Sequence, residues 1–188
     1  MALRVIGFDE ITSRLEEVSK LARLLEQRHS EFPRQALDWL ARVEDTLARH
    51  GVPAVSQVAA ARMRIAGAMR GMPAAGAKIA GRPTRRKLAD AAASEALQQV
   101  QAELHAQIAP RQAQFDQAEQ LSRQVITFAE AKGLLAGLDA ASEIQSGSPT
   151  LRKRLEADGD LAGPWVQLKA MVGSTDASVF LGRQWLEL

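Results

Sequence analysis

The feature that most limits the fold of this chain is the spacing of its apolar residues. Ile11, Leu15, Val18, Ala22 and Leu25 follow at steps of four, three, four and three. That rhythm draws one narrow stripe along a helix. It predicts a first helix from about Asp9, a suitable N-cap, to His29. Pro33 then forbids continuation through the preceding turn. A second helix follows through Ala36, Leu37, Leu40, Val43 and Leu47, with His50 in its last turn and Gly51 as its stop. So short a link favours an antiparallel αα-hairpin. Pro53 suits the first turn of a third helix. The face expected for that helix carries Val55, Val58, Ala59, Ala66 and Met69, with Arg62 among them, snorkelling to the rim or meeting a carboxylate.

The fourth element is the longest, from Thr84 to about Lys132. With Leu97 at heptad position a, Leu97, Val100 and Leu104 fill a, d and a. Further along, Ala118, Leu121, Val125 and Phe128 fill a, d, a and d. Gln107, Arg111 and Gln114 occupy the seam between these halves, and Pro110 sits in the gap. Proline in a helix interior costs ~3 kcal/mol or more. The element is therefore expected to be a helix kinked near Pro110, since no Gly or Asn is there for a tight reversal. The seam residues Leu97, Val100, Leu104, Leu121, Val125 and Phe128 are the expected interface, inside the fold or between copies.

"SGSP", residues 146 to 149, is the clearest linker signal. It divides an expected helical and coiled-coil domain, 1–145, from a small C-terminal subregion, 150–188. The subregion is mainly helical, with "SVFLG" readable as helix or short strand. The expected class is all-α: an N-terminal helical hairpin packed with a long Pro-kinked, coiled-coil-like helix, plus this subregion. Hydrophobic residues make up 46% of the 188 residues but aromatics only 4%, and Ala supplies much of the rest. Ala buries little area per residue, so such a chain needs close helix packing or a partner surface. Trp39, Trp165 and Trp185 are its large anchors, for the core or for an interface. Cys is absent, which excludes disulfides and thiolate chemistry. No apolar run nears the roughly 20 residues of a membrane span, and charge comes too early in "MALRVIGFDE" for a signal peptide. A cytoplasmic location is expected.

The net charge of +2 hides an asymmetry. Between Asp45 and Asp90 there is no acid, while Arg49, Arg62, Arg64, Arg70, Lys78, Arg82, Arg85, Arg86 and Lys87 lie in that interval. A one-sign field attracts nucleic acid, acidic protein or anionic lipid; it also serves plain solubility. Gly71, Gly76 and Gly81 make 71–83 an expected flexible basic loop. Gly71 and Gly76-Ala77-Lys78 match a phosphate-binding loop only in outline. Ala77 separates Gly from Lys, Ile79 replaces the magnesium hydroxyl, and a helix rather than a strand precedes.

Gly81-Arg82-Pro83 resembles the core of an AT-hook. The resemblance implies an extended segment in a narrow DNA minor groove, with Arg85, Arg86 and Lys87 on phosphates. It covers three residues, and Ala80 stands where the motif has another arginine. The competing expectation is that Pro83 and Thr84 open a helix whose first-turn cations oppose the helix dipole. An anion there would relieve them and find free N–H groups. Arg23 and His29 resemble the Arg-x₄₋₆-His pattern of HEPN-type ribonucleases, an all-α family, although Leu24 departs from it. On one ideal helix these two residues lie about 120° apart.

His29, His50 and His105 have no companions at metal-ligand spacing, so no metal and no cofactor is expected. Glu156, Asp158 and Asp160 lack the rest of a calcium loop. The chain therefore reads as a non-catalytic helical subunit or adaptor. Its expected partners are other protein subunits or a second copy, and DNA or RNA through Arg62, Arg70, Lys78, Arg82, Arg85, Arg86 and Lys87. A pure protein–protein scaffold is the alternative, and a HEPN-type ribonuclease the second.

Overall fold

A computed structural model describes residues 3–72 and 84–188, and among these the fold is all-α, with eight helices and no strand. They are α1 (Val5–Glu26), α2 (Phe32–Arg49), α3 (Val55–Met69), α4 (Arg85–Ala131), α5 (Ala140–Gln145), α6 (Pro149–Ala157), α7 (Ala162–Val172) and α8 (Ser174–Leu186). The chain divides into two compact units, residues 1–109 and 110–188. The division falls inside α4, at the polar gap with Pro110, and not at the Ser-Gly-Ser-Pro segment where a linker was expected. That segment is a tight turn between α5 and α6. The Glu143 carboxylate accepts the N–H groups of Thr150 and Leu151 at 3.0 and 3.2 Å, and Ser148 is buried.

In the first unit, α1 and α2 pack as the expected hairpin, and α3 packs on α2. The α1 helix begins at Val5, so Asp9 lies inside it rather than capping it. The reason is burial: Val5 and Phe8 join Ile11, Val18 and Leu21 in the core. Trp39 is fully buried and donates its indole N–H to the Arg14 carbonyl at 2.9 Å. Gly7 gives α2 room to close on α1, because a Cβ there would meet the His50 Cγ at 2.9 Å. The buried face of α3 is Val58, Ala61, Ile65 and Ala68, not the face with Ala59, Ala66 and Met69. With Ala on every side, this helix offers little contrast from which to read a direction.

The first half of α4 adds Ala93, Leu97, Val100 and Leu104 to this core. The α4 helix is one span of 47 residues that includes Pro110. The seam's polar residues find partners within the chain, two of them on α4 itself. The Gln107 amide donates to Glu103 at 2.7 Å, Arg111 to Gln114 at 2.7 Å, and the Gln114 amide to the Met171 carbonyl.

In the second unit the stripe on α4 differs from the one expected. Phe115, Ala118, Ser122, Val125, Ile126 and Ala129 are buried, Leu121 is half-buried, and Phe128 is 61% exposed. Small residues let neighbouring helices approach closely, so Ser122 and Ala129 take the inner positions. The Ser122 hydroxyl is satisfied by the Glu119 carbonyl at 2.8 Å. Phe115 meets Phe180 of α8 with ring centroids 5.8 Å apart. "SVFLG" is part of helix α8. The acids of "EADGD" hold this unit together: Lys132 reaches Asp158 at 2.7 Å and Asp160 at 2.6 Å, and Glu156 accepts from Trp165 at 3.1 Å and Lys169 at 2.8 Å.

Candidate anion-contact surface

The cations of the acid-free interval divide into those the fold uses and those it leaves open. Arg49 pairs with Glu10 at 2.8 Å and with Asp45 at 3.1 Å. Arg62 meets the Glu44 carboxylate at 3.2 Å, which bridges α3 to α2. The carboxylate contact considered for Arg62 is thus made within the chain. Arg64 donates to the Gln99 side chain. Arg70 follows α3 as its exposed C-cap residue. Lys78 and Arg82, with the expected loop 71–83 from residue 73 onward and the Gly-Arg-Pro motif, lie outside the described residues.

Arg85, Arg86 and Lys87 form the first turn of α4, as expected if Thr84 opens a helix. The Thr84 hydroxyl accepts the Lys87 N–H at 3.3 Å, an N-cap bond. That first turn contains no acid, so three cations oppose the positive end of the helix dipole. Arg86 is held in place: its guanidinium donates to the Arg28 carbonyl and lies 3.7 Å from Asp90. Arg85 and Lys87 are exposed and make no ion pair with a described residue.

Beside this turn lies the start of α2, whose first turn also lacks an acid and carries the exposed Arg34. Arg34, Arg85 and Arg86 border a recess of about 510 Å³ with Pro33, Met69 and Ala89 as its apolar lining. Pro33 and Ala89 are buried, and Met69 is 37% exposed. Ser30 and Glu31 complete it at the N-cap of α2. Arg34 and Met69 were not among the residues singled out for contact. Arg34 directly follows Pro33 at the start of α2, but it stands outside the acid-free interval, so nothing in the charge pattern marked it. Nothing in the sequence brought Met69 to the same place, because its expected position was on the inner face of α3.

Of the expected interface residues, Leu97, Val100 and Leu104 are buried by their own unit, and Val125 by the other. Leu121 is half-buried, and Phe128 is the one exposed member of that set. Arg23 and His29 do not share a helix: α1 ends at Glu26, Arg28 takes φ 51°, and the His29 Nδ1 accepts the Glu31 N–H at 3.3 Å. Among the described residues no group of three His, Asp or Glu side chains gathers as a metal site, and no helix is long and apolar enough to cross a membrane. Comparison with protein-family models, curated proteins and solved structures finds no match to this chain.

Proposed function

We propose that this chain is a non-catalytic helical subunit or adaptor that contacts nucleic acid or another polyanion at the junction of α2, α3 and α4. One observation carries the reading. Arg34, Arg70, Arg85 and Lys87 are exposed on one unit without an ion-pair partner among the described residues, while Arg62 and Arg86 nearby are already engaged. Phosphates would replace the missing counter-charges and release condensed cations from the polyanion. Lys78 and Arg82 belong to the same stretch of sequence and add to the same charge.

The test is a salt titration of oligonucleotide binding, for the parent and for a variant with the four open cations Arg34, Arg70, Arg85 and Lys87 all replaced by Gln. The parent should show a steep fall of log K with log salt. Losing four contacts should flatten that slope by up to about 3–4 on duplex DNA, with helicity unchanged. A parent that binds no polyanion at low salt, or a variant with the parent's slope, refutes the reading. The protein–protein scaffold would then take its place, for which Phe128, large and exposed on α4, is the supporting observation.

A further inference from the structure

We infer that the recess between α2 and α4 seats one nucleotide of a single-stranded nucleic acid, the base inside and its phosphates on Arg34 and Arg85. The inference rests on the polyanion reading and sharpens it. The recess is not built for an anion alone. Its apolar lining of Pro33, Met69 and Ala89 offers no hydrogen bond, and the Glu31 carboxylate on its border repels negative charge. A ligand that fits must bring a neutral, flat, partly apolar body inside and keep its charge outside.

A nucleotide has that division. Its base has two apolar faces and donor groups on its edge, and its phosphates flank it at a distance. The border matches in chemistry. The guanidinium planes of Arg34 and Arg85 can stack on a base or hold a phosphate in their fork. The Ser30 hydroxyl and the Glu31 carboxylate, which has no ion-pair partner among the described residues, can accept from the N–H groups of a base edge or from a ribose hydroxyl. Arg86, tied to the Arg28 carbonyl and Asp90, fixes the wall on the α4 side.

A volume of about 510 Å³ lies within the ~300–1,000 Å³ range of ligand pockets. A duplex presents only its backbone to such a concavity, because its base faces are stacked within. Unstacked bases are available in single strands, where a charged groove plus a stacking platform is the usual way of binding. An acidic peptide shares the charge, but an aliphatic side chain in the recess would leave the acceptors Ser30 and Glu31 unused.

The experiment compares labelled single-stranded and duplex oligonucleotides of equal length at matched salt, by fluorescence anisotropy on the full chain. It includes Met69→Gln and Arg34→Gln, both at exposed positions, with circular dichroism as the folding control. The expected result is at least tenfold tighter binding of the single strand. Met69→Gln should weaken that binding about three- to tenfold with the salt slope unchanged, whereas Arg34→Gln should weaken it and flatten the slope. A 5-iodouracil strand should cross-link to the peptide that contains Met69. Equal or tighter binding of the duplex overturns the inference and leaves the polyanion reading standing, and so does binding of heparin or poly-glutamate alone. Parent-like single-strand binding by both variants also overturns it. No binding of any polyanion overturns both.

Discussion

Leu104→Ala tests where the long helix is buried and by what. Leu104 has no exposed surface and sits on the α4 stripe between Val100 and Ile108. Replacing a fully buried leucine by alanine removes the transfer energy of the lost methyl groups and leaves a cavity, for ~2–5 kcal/mol in total. We expect about 3 kcal/mol here. For a unit of this size that corresponds to a fall in melting temperature of about 10–20 °C. Phe128→Ala is the control on the same helix. Phe128 is 61% exposed, so its truncation should cost less than about 1 kcal/mol. Thermal and urea unfolding followed by circular dichroism, at two protein concentrations tenfold apart, give both numbers. Burial within the chain makes the Leu104 loss independent of concentration. A loss below about 1 kcal/mol for Leu104→Ala, or an equal loss for Phe128→Ala, refutes the reasoning.

Gly7→Ala would gain up to about 1 kcal/mol of helix propensity but sets a Cβ 2.9 Å from the His50 ring, an overpacking worth about 1–3 kcal/mol. Net destabilisation is expected in urea unfolding, and a more stable variant would show that α2 shifts freely over α1. Acid should weaken the second unit. The hydrogen bond from Lys132 holds Asp158 below the ordinary carboxylate range, and those from Lys169 and Trp165 do the same for Glu156. Burial pushes Glu143 up, but the Thr150 and Leu151 hydrogen bonds outweigh it. For carboxylates lowered in this way, stability is present above their unfolded pKa of about 4 and is lost as pH falls through the lower folded values. Urea midpoints measured from pH 6 to pH 2 should therefore decline below about pH 4, less so in Glu143→Gln and Asp158→Asn. A flat profile in the parent would contradict the ion-pair assignments.

The class and the hairpin were legible because Ile11, Val18, Trp39, Leu40, Val43 and Leu47 contrast sharply with their polar neighbours. Where contrast fails, so does the sequence reading. On α3 the alanines fit inside or outside, and only the packing against α2 selects Ala61 and Ala68 over Ala59 and Ala66. On the second half of α4 the large residues drew the stripe toward Leu121 and Phe128, whereas close approach favours Ser122 and Ala129. The division into two compact units at residue 110 does not coincide with the strongest turn signal, for a similar reason. Gly, Ser and Pro at 146–149 signal a turn, but a turn cross-linked by Glu143 is not a hinge. The polar residues and proline at 107–114 lie in a continuous helix and still mark where one unit ends.

The charge asymmetry was plain in the sequence, but its meaning changes once partners are assigned. A field of nine cations treats Arg49, Arg62, Arg64 and Arg86 as free, yet each is tied to a carboxylate, an amide or a carbonyl of its own unit. These contacts are partly exposed, and such pairs contribute little each, so their main effect is to orient. Arg86 is the clearest case. Its bond to the Arg28 carbonyl joins the α1–α2 turn to the start of α4 and keeps Arg85 beside Arg34. Two arginines from segments about fifty residues apart thereby share one recess, which no scan for clustered charge would have paired. The local concentration of positive charge at the recess is set by this folding contact as much as by the basic run itself.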